Sequence, residues 1–238
     1  MNSIKMAGLL QQHANYSPYG VKTKYLSFDV TAGDYVVVPK GLTGGFSAAS
    51  YESWVNLKSY PNDDSSDGRI IYRDTPLNVL LRLSYRTGVN LRGIQFNLTT
   101  TDGGKNITVG SYDYFDLDTW YHIAATYDGT NMRLYVNAVE VGSVAHTGTI
   151  STGTGTDTIG SSGGLEQFMD GYIDELRIWD HARTEAQIKQ HMNHKLTGWE
   201  TGLVAYYSMN LGSGSTLPND QKDGLNDGTI YGATWVNT

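Results

Sequence analysis

The stretch Trp120-Tyr-His-Ile-Ala-Ala-Thr-Tyr127, followed by Asp128-Gly129-Thr130-Asn131 and then Met132-Arg-Leu-Tyr-Val136, decides the fold class. Apolar and polar residues alternate on both flanks, which puts one face of each strand inward, and the Asp-Gly pair supplies the positive φ that a hairpin turn needs. A second turn follows at Asn137-Ala138, where the usual glycine is missing, so Asn137 carries much of the positive-φ burden. Outward from this hairpin the same short runs recur between Gly, Asp, Asn and Ser. They are Tyr25–Phe28, Tyr35–Val38, Ser50–Leu57, Arg69–Tyr72, Leu77–Tyr85, Gly93–Leu98, Val139–Ser143, Asp157–Ile159, Gly171–Trp179 and Leu203–Ser208. So many short strands separated by turn signals predict an all-β antiparallel sandwich of two sheets.

A single helix interrupts this pattern. Thr184 is placed to cap it with Gln187 as the capping-box partner, and Ile188 and Met192 fall on one face before Gly198 ends it. A short helix in a β protein is expected across a sheet edge or an end of the sandwich. The polar loops are Asp63-Asp64-Ser65-Ser66-Asp67-Gly68 and the Gly/Ser/Thr-rich Thr147–Gly164, the latter too short for a linker between domains.

Composition narrows the functions. The 238 residues include no cysteine, which excludes disulfides, thiolate metal sites and a cysteine nucleophile. With 17 Lys and Arg against 24 Asp and Glu, the net charge is -7 and no basic cluster forms, so neither nucleic acid nor an anionic membrane is an expected partner. No apolar run approaches the roughly 18 residues of a membrane span, and membrane insertion is not expected. Met1-Asn-Ser-Ile-Lys-Met-Ala-Gly-Leu-Leu10 runs into Gln11-Gln12-His13, too short an apolar stretch for a Sec signal peptide. Residues 1–24 read as an N-terminal arm and 25–238 as one sandwich.

Six segments together resemble the laminin G-like and pentraxin-like group of concanavalin A-type sandwiches. They are Tyr25-Leu-Ser-Phe-Asp29, Gly33-Asp-Tyr-Val-Val-Val-Pro39, Tyr51-Glu-Ser-Trp-Val-Asn-Leu57, Trp120 to Gly129, Leu134-Tyr-Val-Asn137, and Asp170-Gly-Tyr-Ile-Asp-Glu-Leu-Arg-Ile-Trp179. The resemblance implies a jelly-roll fold. It also makes the end of the chain unusual, because Gly202 to Asn210 and Asp227 to Trp235 are similar to segments that open such a domain. Residues 202–238 are therefore expected to complete the sandwich in permuted order, or in a neighbouring subunit. Two departures bear on function. Ala124 stands where pentraxins carry a cysteine, and Gly160-Ser161-Ser162 replaces their acidic calcium-binding triplet.

Glycosidases that are similar in fold carry a Glu-x-Asp-x-x-Glu or Glu-x-Asp-x-Glu run, whose alternating carboxylates share one strand face. Asp174-Glu175-Leu176-Arg177-Ile178-Trp179-Asp180 does not match: Arg177 takes a carboxylate's place, Asp174 and Asp180 are expected to share a face, and Glu175 is read as solvated or ion-paired. No residue is assigned to catalysis. The resemblance implies instead a structural Ca2+ held by Asp174 with oxygens at Asp29 and Asp34, against the plainer reading of Asp29 and Asp34 as Asx-turn residues. His191 and His194 lack a third zinc ligand, His122 reads as a hydrogen-bonded core residue, and no Gly-x-Ser-x-Gly elbow is present.

Tyr60, Tyr72 and Tyr85, with Tyr112 and Tyr114, flank polar loops and are candidates to stack on sugar rings, with Asn62, Asp63, Asp64 and Asp67 bonding hydroxyls. Tyrosine is also simply a good strand former. The expected function is non-catalytic recognition or adhesion towards a glycan or cell-surface polysaccharide, on a virion surface or outside the cell. The alternatives are a capsid decoration or fibre subunit, with homo-oligomer or virion neighbours as partners, and, less favoured, a glycoside hydrolase.

Overall fold

The computed structural model describes residues 24–60, 68–73, 79–86, 91–111, 115–153, 156–221 and 225–238. The strands are β1 (Lys24–Phe28), β2 (Tyr35–Val38), β3 (Ala49–Leu57), β4 (Gly68–Arg73), β5 (Val79–Arg86), β6 (Leu91–Thr100), β7 (Gly103–Ser111) and β8 (Trp120–Tyr127). They continue as β9 (Asn131–Val136), β10 (Val139–Ala145), β11 (Asp157–Ile159), β12 (Gly171–Trp179), β13 (Leu203–Tyr207), β14 (Thr216–Leu217), β15 (Gly228–Tyr231) and β16 (Thr234–Asn237). The helix α1 (Glu185–His191) joins β12 to β13. No helix among the described residues is long and apolar enough to cross a membrane.

Two eight-stranded antiparallel sheets result. Sheet A runs β10-β9-β8-β3-β12-β1-β16, with β13 also on β12, and sheet B runs β14-β15-β2-β11-β4-β5-β6-β7. Their facing sides form one core from Leu26, Phe28, Tyr51, Val55, Ile123, Leu134, Ile173 and Ile178 on sheet A and Val36, Val38, Leu81, Leu83, Ile94, Phe96 and Leu98 on sheet B. Because alternate residues of a strand point to opposite faces, this core also fixes which residues line the two outer faces.

The β8–β9 hairpin forms as its sequence predicts. Gly129 has φ 89, and Asp128 Oδ1 accepts from the backbone of Thr130 and Asn131 at 2.9 and 2.7 Å. Partial burial alone would raise the Asp128 pKa, but the bond from Arg133 and those from Thr130 and Asn131 hold it well below the usual carboxylate range. At the next turn both Asn137 (φ 50) and Ala138 (φ 63) are left-handed. Ala138 keeps its methyl there because it packs in the cluster under α1.

The capping box of α1 is formed, with Thr184 N donating to Gln187 Oε1 at 2.8 Å and Gln187 N to Thr184 Oγ1 at 3.3 Å. The helix ends at His191, before Gly198. It also lies elsewhere than a sheet edge or sandwich end. Ile188 and Met192 pack with Trp54, Ala124, Tyr135 and Ala138 on the outer face of sheet A, because β3, β8 and β9 carry apolar side chains on that face too.

The end of the chain pairs within the same chain. β16 lies beside β1 with Lys24 opposite Asn237 and Tyr25 opposite Val236, β13 pairs β12, and β15 pairs β2.

Candidate functional site

The outer face of sheet B carries a polar strip. The core residues Val79, Leu81, Leu83, Ile94, Phe96 and Ile107 turn Arg82, Gln95 and Thr108 outward, and Arg69, Arg82, Gln95 and Thr108 stand in one register row across β4 to β7. A bulge between Arg69 and Ile71 lets Ile70 and Ile71 both enter the core while Arg69 stays on this face. Arg82 Nε donates to Gln95 Oε1 at 2.5 Å, and Arg69 donates to the side chain of Gln167. Asn97 and Asn106 are paired in the neighbouring row. Arg82 and Thr108 offer a guanidinium and a hydroxyl at the surface of this strip, groups that recognise a polyol, while Arg69 and Gln95 are each 5% exposed and lie beneath it.

Gln167 comes from a loop that folds over β11. Thr158 Oγ1 donates to Ser161 O at 2.9 Å, Gly163 N donates back to Thr158 Oγ1 at 3.3 Å, and Met169 N closes the loop on Gly160 O at 2.8 Å. Gly160, Gly163, Gly164 and Gln167 all have positive φ. Gly164 is required by contact as well, since a Cβ there would sit 2.6 Å from the Tyr35 ring. On the far side of the loop Tyr35 stacks on Tyr231 with centroids 4.8 Å apart and planes 8° off parallel, and Phe168 lies 6.5 Å from Tyr35. Tyr231 is 46% exposed, and Leu165 at the loop tip is 86% exposed. The face thus combines an aromatic shelf, a glycine-shaped loop and a hydrogen-bonding strip.

The outer face of sheet A is different in kind. Under α1 it buries charge: Arg183 Nη1 donates to Glu52 Oε1 at 2.9 Å, Arg177 Nη2 to Glu175 Oε2 at 2.8 Å, and His122 Nε2 lies 3.5 Å from Glu52 Oε2. Tyr206 donates to Glu175 at 2.7 Å, and burial followed by that carboxylate pushes its hydroxyl pKa far up. Burial alone would lower the Arg177 pKa, but the carboxylates of Glu175 and Glu52 hold it up. Both guanidinium groups also bond helix carbonyls, Arg183 to Gln187 O at 3.0 Å and Arg177 to His191 O at 2.9 Å. These groups serve to dock the helix.

The match to known proteins follows this architecture. The family model described as "Concanavalin A-like lectin/glucanases superfamily" fits residues 30–189, more than half of the chain. The chain belongs to that superfamily. A solved candidate carbohydrate binding protein from Bacteroides ovatus superposes on this lectin-like sandwich with a TM-score of 0.72 at 25% identity, covering 90% of this chain and 60% of that one. The heptameric SAP-like pentraxin of Limulus polyphemus superposes with a TM-score of 0.59 at 16% identity, covering 92% and 98%. Pappalysin-1 of Mus musculus is 33% identical over 101 residues, 41% of this chain and 6% of that protein. The chain therefore spans only a small part of that relative's length.

Of the three residues expected to hold calcium in this concanavalin A-like sandwich, Asp29 and Asp34 share one turn and Asp174 stands apart from it. Asp29 Oδ1 accepts from Thr31 N, Thr31 Oγ1 and Ala32 N at 2.7, 2.6 and 3.3 Å, an Asx turn whose bonds to Thr31 lower its pKa. Asp34 Oδ2 accepts from Asp29 N at 2.9 Å in the same turn, and burial raises the Asp34 pKa. Asp174 lies further along the sheet. Leu26 opposite Ile173 sets Tyr25 beside Asp174, four residues and about 13 Å from Asp29, whereas calcium holds its oxygens at roughly 2.5 Å. Asp174 Oδ1 accepts instead from Glu175 N at 2.9 Å. Among the described residues no three His, Asp or Glu are grouped to hold a metal.

Asp174 and Asp180 do not share a face either. Glu175, at φ 54, forms a bulge that shifts the register between Asp174 and Arg177, and Asp180 lies past the strand end with Oδ1 3.1 Å from His181 Nδ1. Of the expected sugar-contact residues, Tyr60 donates to Phe115 O at 2.8 Å and is half-buried. Asn62, Asp63, Asp64, Asp67, Tyr112 and Tyr114 lie outside the described residues. Tyr72 is in β4 opposite Leu80 and Thr158, and Tyr85 is in β5 opposite Arg92. Sequence reading passed over Arg69, Arg82, Gln95, Gln167, Tyr35 and Tyr231. The alternation of β5 and β6 carried the signal for Arg82 and Gln95, but the pairing of strands far apart in sequence did not show in it.

Proposed function

We propose that this chain is a non-catalytic recognition module that binds a glycan on the outer face of sheet B. The observation that carries this reading is the row Arg69–Arg82–Gln95–Thr108 beside the stacked Tyr35–Tyr231 pair, with Gln167 reaching the row from the loop. Aromatic rings cover the apolar C–H face of a sugar while fixed amides and guanidinium groups bond its hydroxyls. Hydrolysis would need two carboxylates about 5–10 Å apart across such a face. The described strand positions of this one are instead Arg, Gln, Asn, Thr, Leu, Val, Tyr and Gly. The carbohydrate-binding assignment of the Bacteroides ovatus neighbour supports the same reading.

A glycan array probed with the full chain tests it. At least one saccharide class is expected to bind, and Arg82→Ala and Tyr231→Ala are each expected to weaken that binding about tenfold, as loss of one hydrogen bond from a charged group or one stacked ring does. The melting temperature serves as the folding control. Incubation of the bound polysaccharide at high protein concentration is expected to yield no new reducing ends. Binding that ignores both substitutions overturns the site, and turnover overturns the non-catalytic reading.

A further inference from the structure

Sheet B ends in a long, regular edge. β7 is its last strand, paired with β6 in unbroken register from Ser111 opposite Arg92 to Gly103 opposite Thr100. Among the described residues no strand pairs its other side, and Gly103, Gly104, Lys105, Asn106 and Thr108 are exposed. The inner side chains are held in place. Ile107 and Val109 pack in the core, and Gly142 of β10 sits over them, so close that a Cβ there would lie 2.5 Å from Val109 Cγ2. Gly142 stands opposite the core residue Leu134, so β10 packs on the inner face of β7 and not along its edge.

The other edges of the two sheets are closed to a further strand. β10 is bent by a bulge between Glu140 and Gly142, and β14 has two residues. β16 has four, with Trp235 Nε1 and Asn237 Nδ2 donating to Gly214 O and Gly212 O at 2.8 and 3.0 Å. On β13, Tyr206 N donates to Asn219 Oδ1 at 2.9 Å and Tyr206 O accepts from Asp220 N at 2.7 Å. Bulges, short strands and covering loops keep an edge from pairing with another chain. β7 has none of these, and it contains no proline, one charged residue and the strand-forming run Ile107-Thr108-Val109.

We infer that β7 is an interface for a second copy of this chain, the two β7 strands pairing antiparallel with Ile107 opposite the partner's Ile107. Facing residues of an antiparallel pair point to the same side of the sheet, so the two-fold axis falls on a residue rather than between two. Centring it on Ile107 engages the whole of Gly103–Ser111. Asn106 then faces the partner's Thr108 on the outer side, and Lys105 faces the partner's Val109 on the inner side. No charge meets its like, and the lysine stem covers an apolar side chain. The outward N–H and C=O groups of both edges gain partners. The outer faces of the two copies of sheet B also become continuous, the row Arg69–Arg82–Gln95–Thr108 running on into the partner's Asn106 and Asn97. The pairing itself needs no glycan.

Sedimentation velocity of the full-length protein, without any saccharide, is expected to show a dimer at micromolar concentration. Asn106→Lys with Thr108→Lys sets lysines opposite lysines across the axis and is expected to weaken association about tenfold. Asn106→Lys with Thr108→Glu sets each lysine opposite a glutamate and is expected to restore it. An axis moved to position 106 or 108 would instead set like charges opposite each other in that variant. Both positions are exposed, and circular dichroism of each variant serves as the folding control. A parent that sediments as a monomer, a lysine–lysine variant that associates like the parent, or a lysine–glutamate variant that remains monomeric each overturns the inference. Glycan binding is read separately by the array, so failure of one reading is distinguishable from failure of the other.

Discussion

A chain truncated after Thr201 is expected to be recovered as an aggregated or unfolded product. The deletion removes β13 to β16, and with them one of the two partners of β1, one of the two partners of β2 and one of the partners of β12. Leu203, Tyr206, Tyr207, Leu217 and Ile230 are each under 9% exposed and leave with it. At about 2 kcal/mol per buried side chain the loss is on the order of 10 kcal/mol, comparable with the roughly 5–15 kcal/mol that a whole domain has in hand. The remaining protein would present the backbone of β1 and β2 as unpaired edges beside newly exposed Leu26 and Val36, a template for association with other chains. Chemical denaturation and light scattering of the truncated protein check this. A soluble product that melts cooperatively at the full-length temperature would show the C-terminal strands to be dispensable.

The strand β13 was legible because Leu203-Val-Ala-Tyr-Tyr207 has the apolar density of a buried strand, and β16 lies beside β1 at Lys24–Ser27. The β8–β9 hairpin and the Thr184 capping box were equally local, each specified by residues within a few positions of one another. β7 was missed for a physical reason: Gly-Gly-Lys-Asn-Ile-Thr-Val-Gly-Ser is an edge strand with only Ile107 fully in the core, so its sequence has little apolar alternation to read. The site was the least legible part. Arg69 and Arg82 meet because β4 bulges, and Gln167 reaches Arg69 from 98 residues away. Asp180 does not share a face with Asp174 because the bulge at Glu175 shifts the facing of the residues after it, and a left-handed glutamate is not announced by sequence.

That bulge also sets the second large effect. Arg177→Met is expected to destabilise the protein by about 3–5 kcal/mol, the range for removing one partner of a buried ion pair. Arg177 is fully buried and spans two structures at once: Nη2 holds Glu175 Oε2 at 2.8 Å and His194 O at 2.8 Å, while Nη1 holds His191 O at 2.9 Å. A seven-residue helix has little stability of its own, so α1 depends on such anchors, with Trp54 Nε1 on Met192 O at 2.7 Å as another. In Arg177→Met the carboxylate of Glu175 would remain buried with Tyr206 as its remaining donor, and the carbonyls at the helix end would lose their cation. The double substitution Arg177→Met with Glu175→Leu is expected to cost less than the sum of the two single ones, because it leaves no unpaired charge behind. Urea denaturation of the four proteins measures this coupling. Strict additivity would mean that Glu175 and Arg177 contribute independently, and that the helix rather than the ion pair carries the cost.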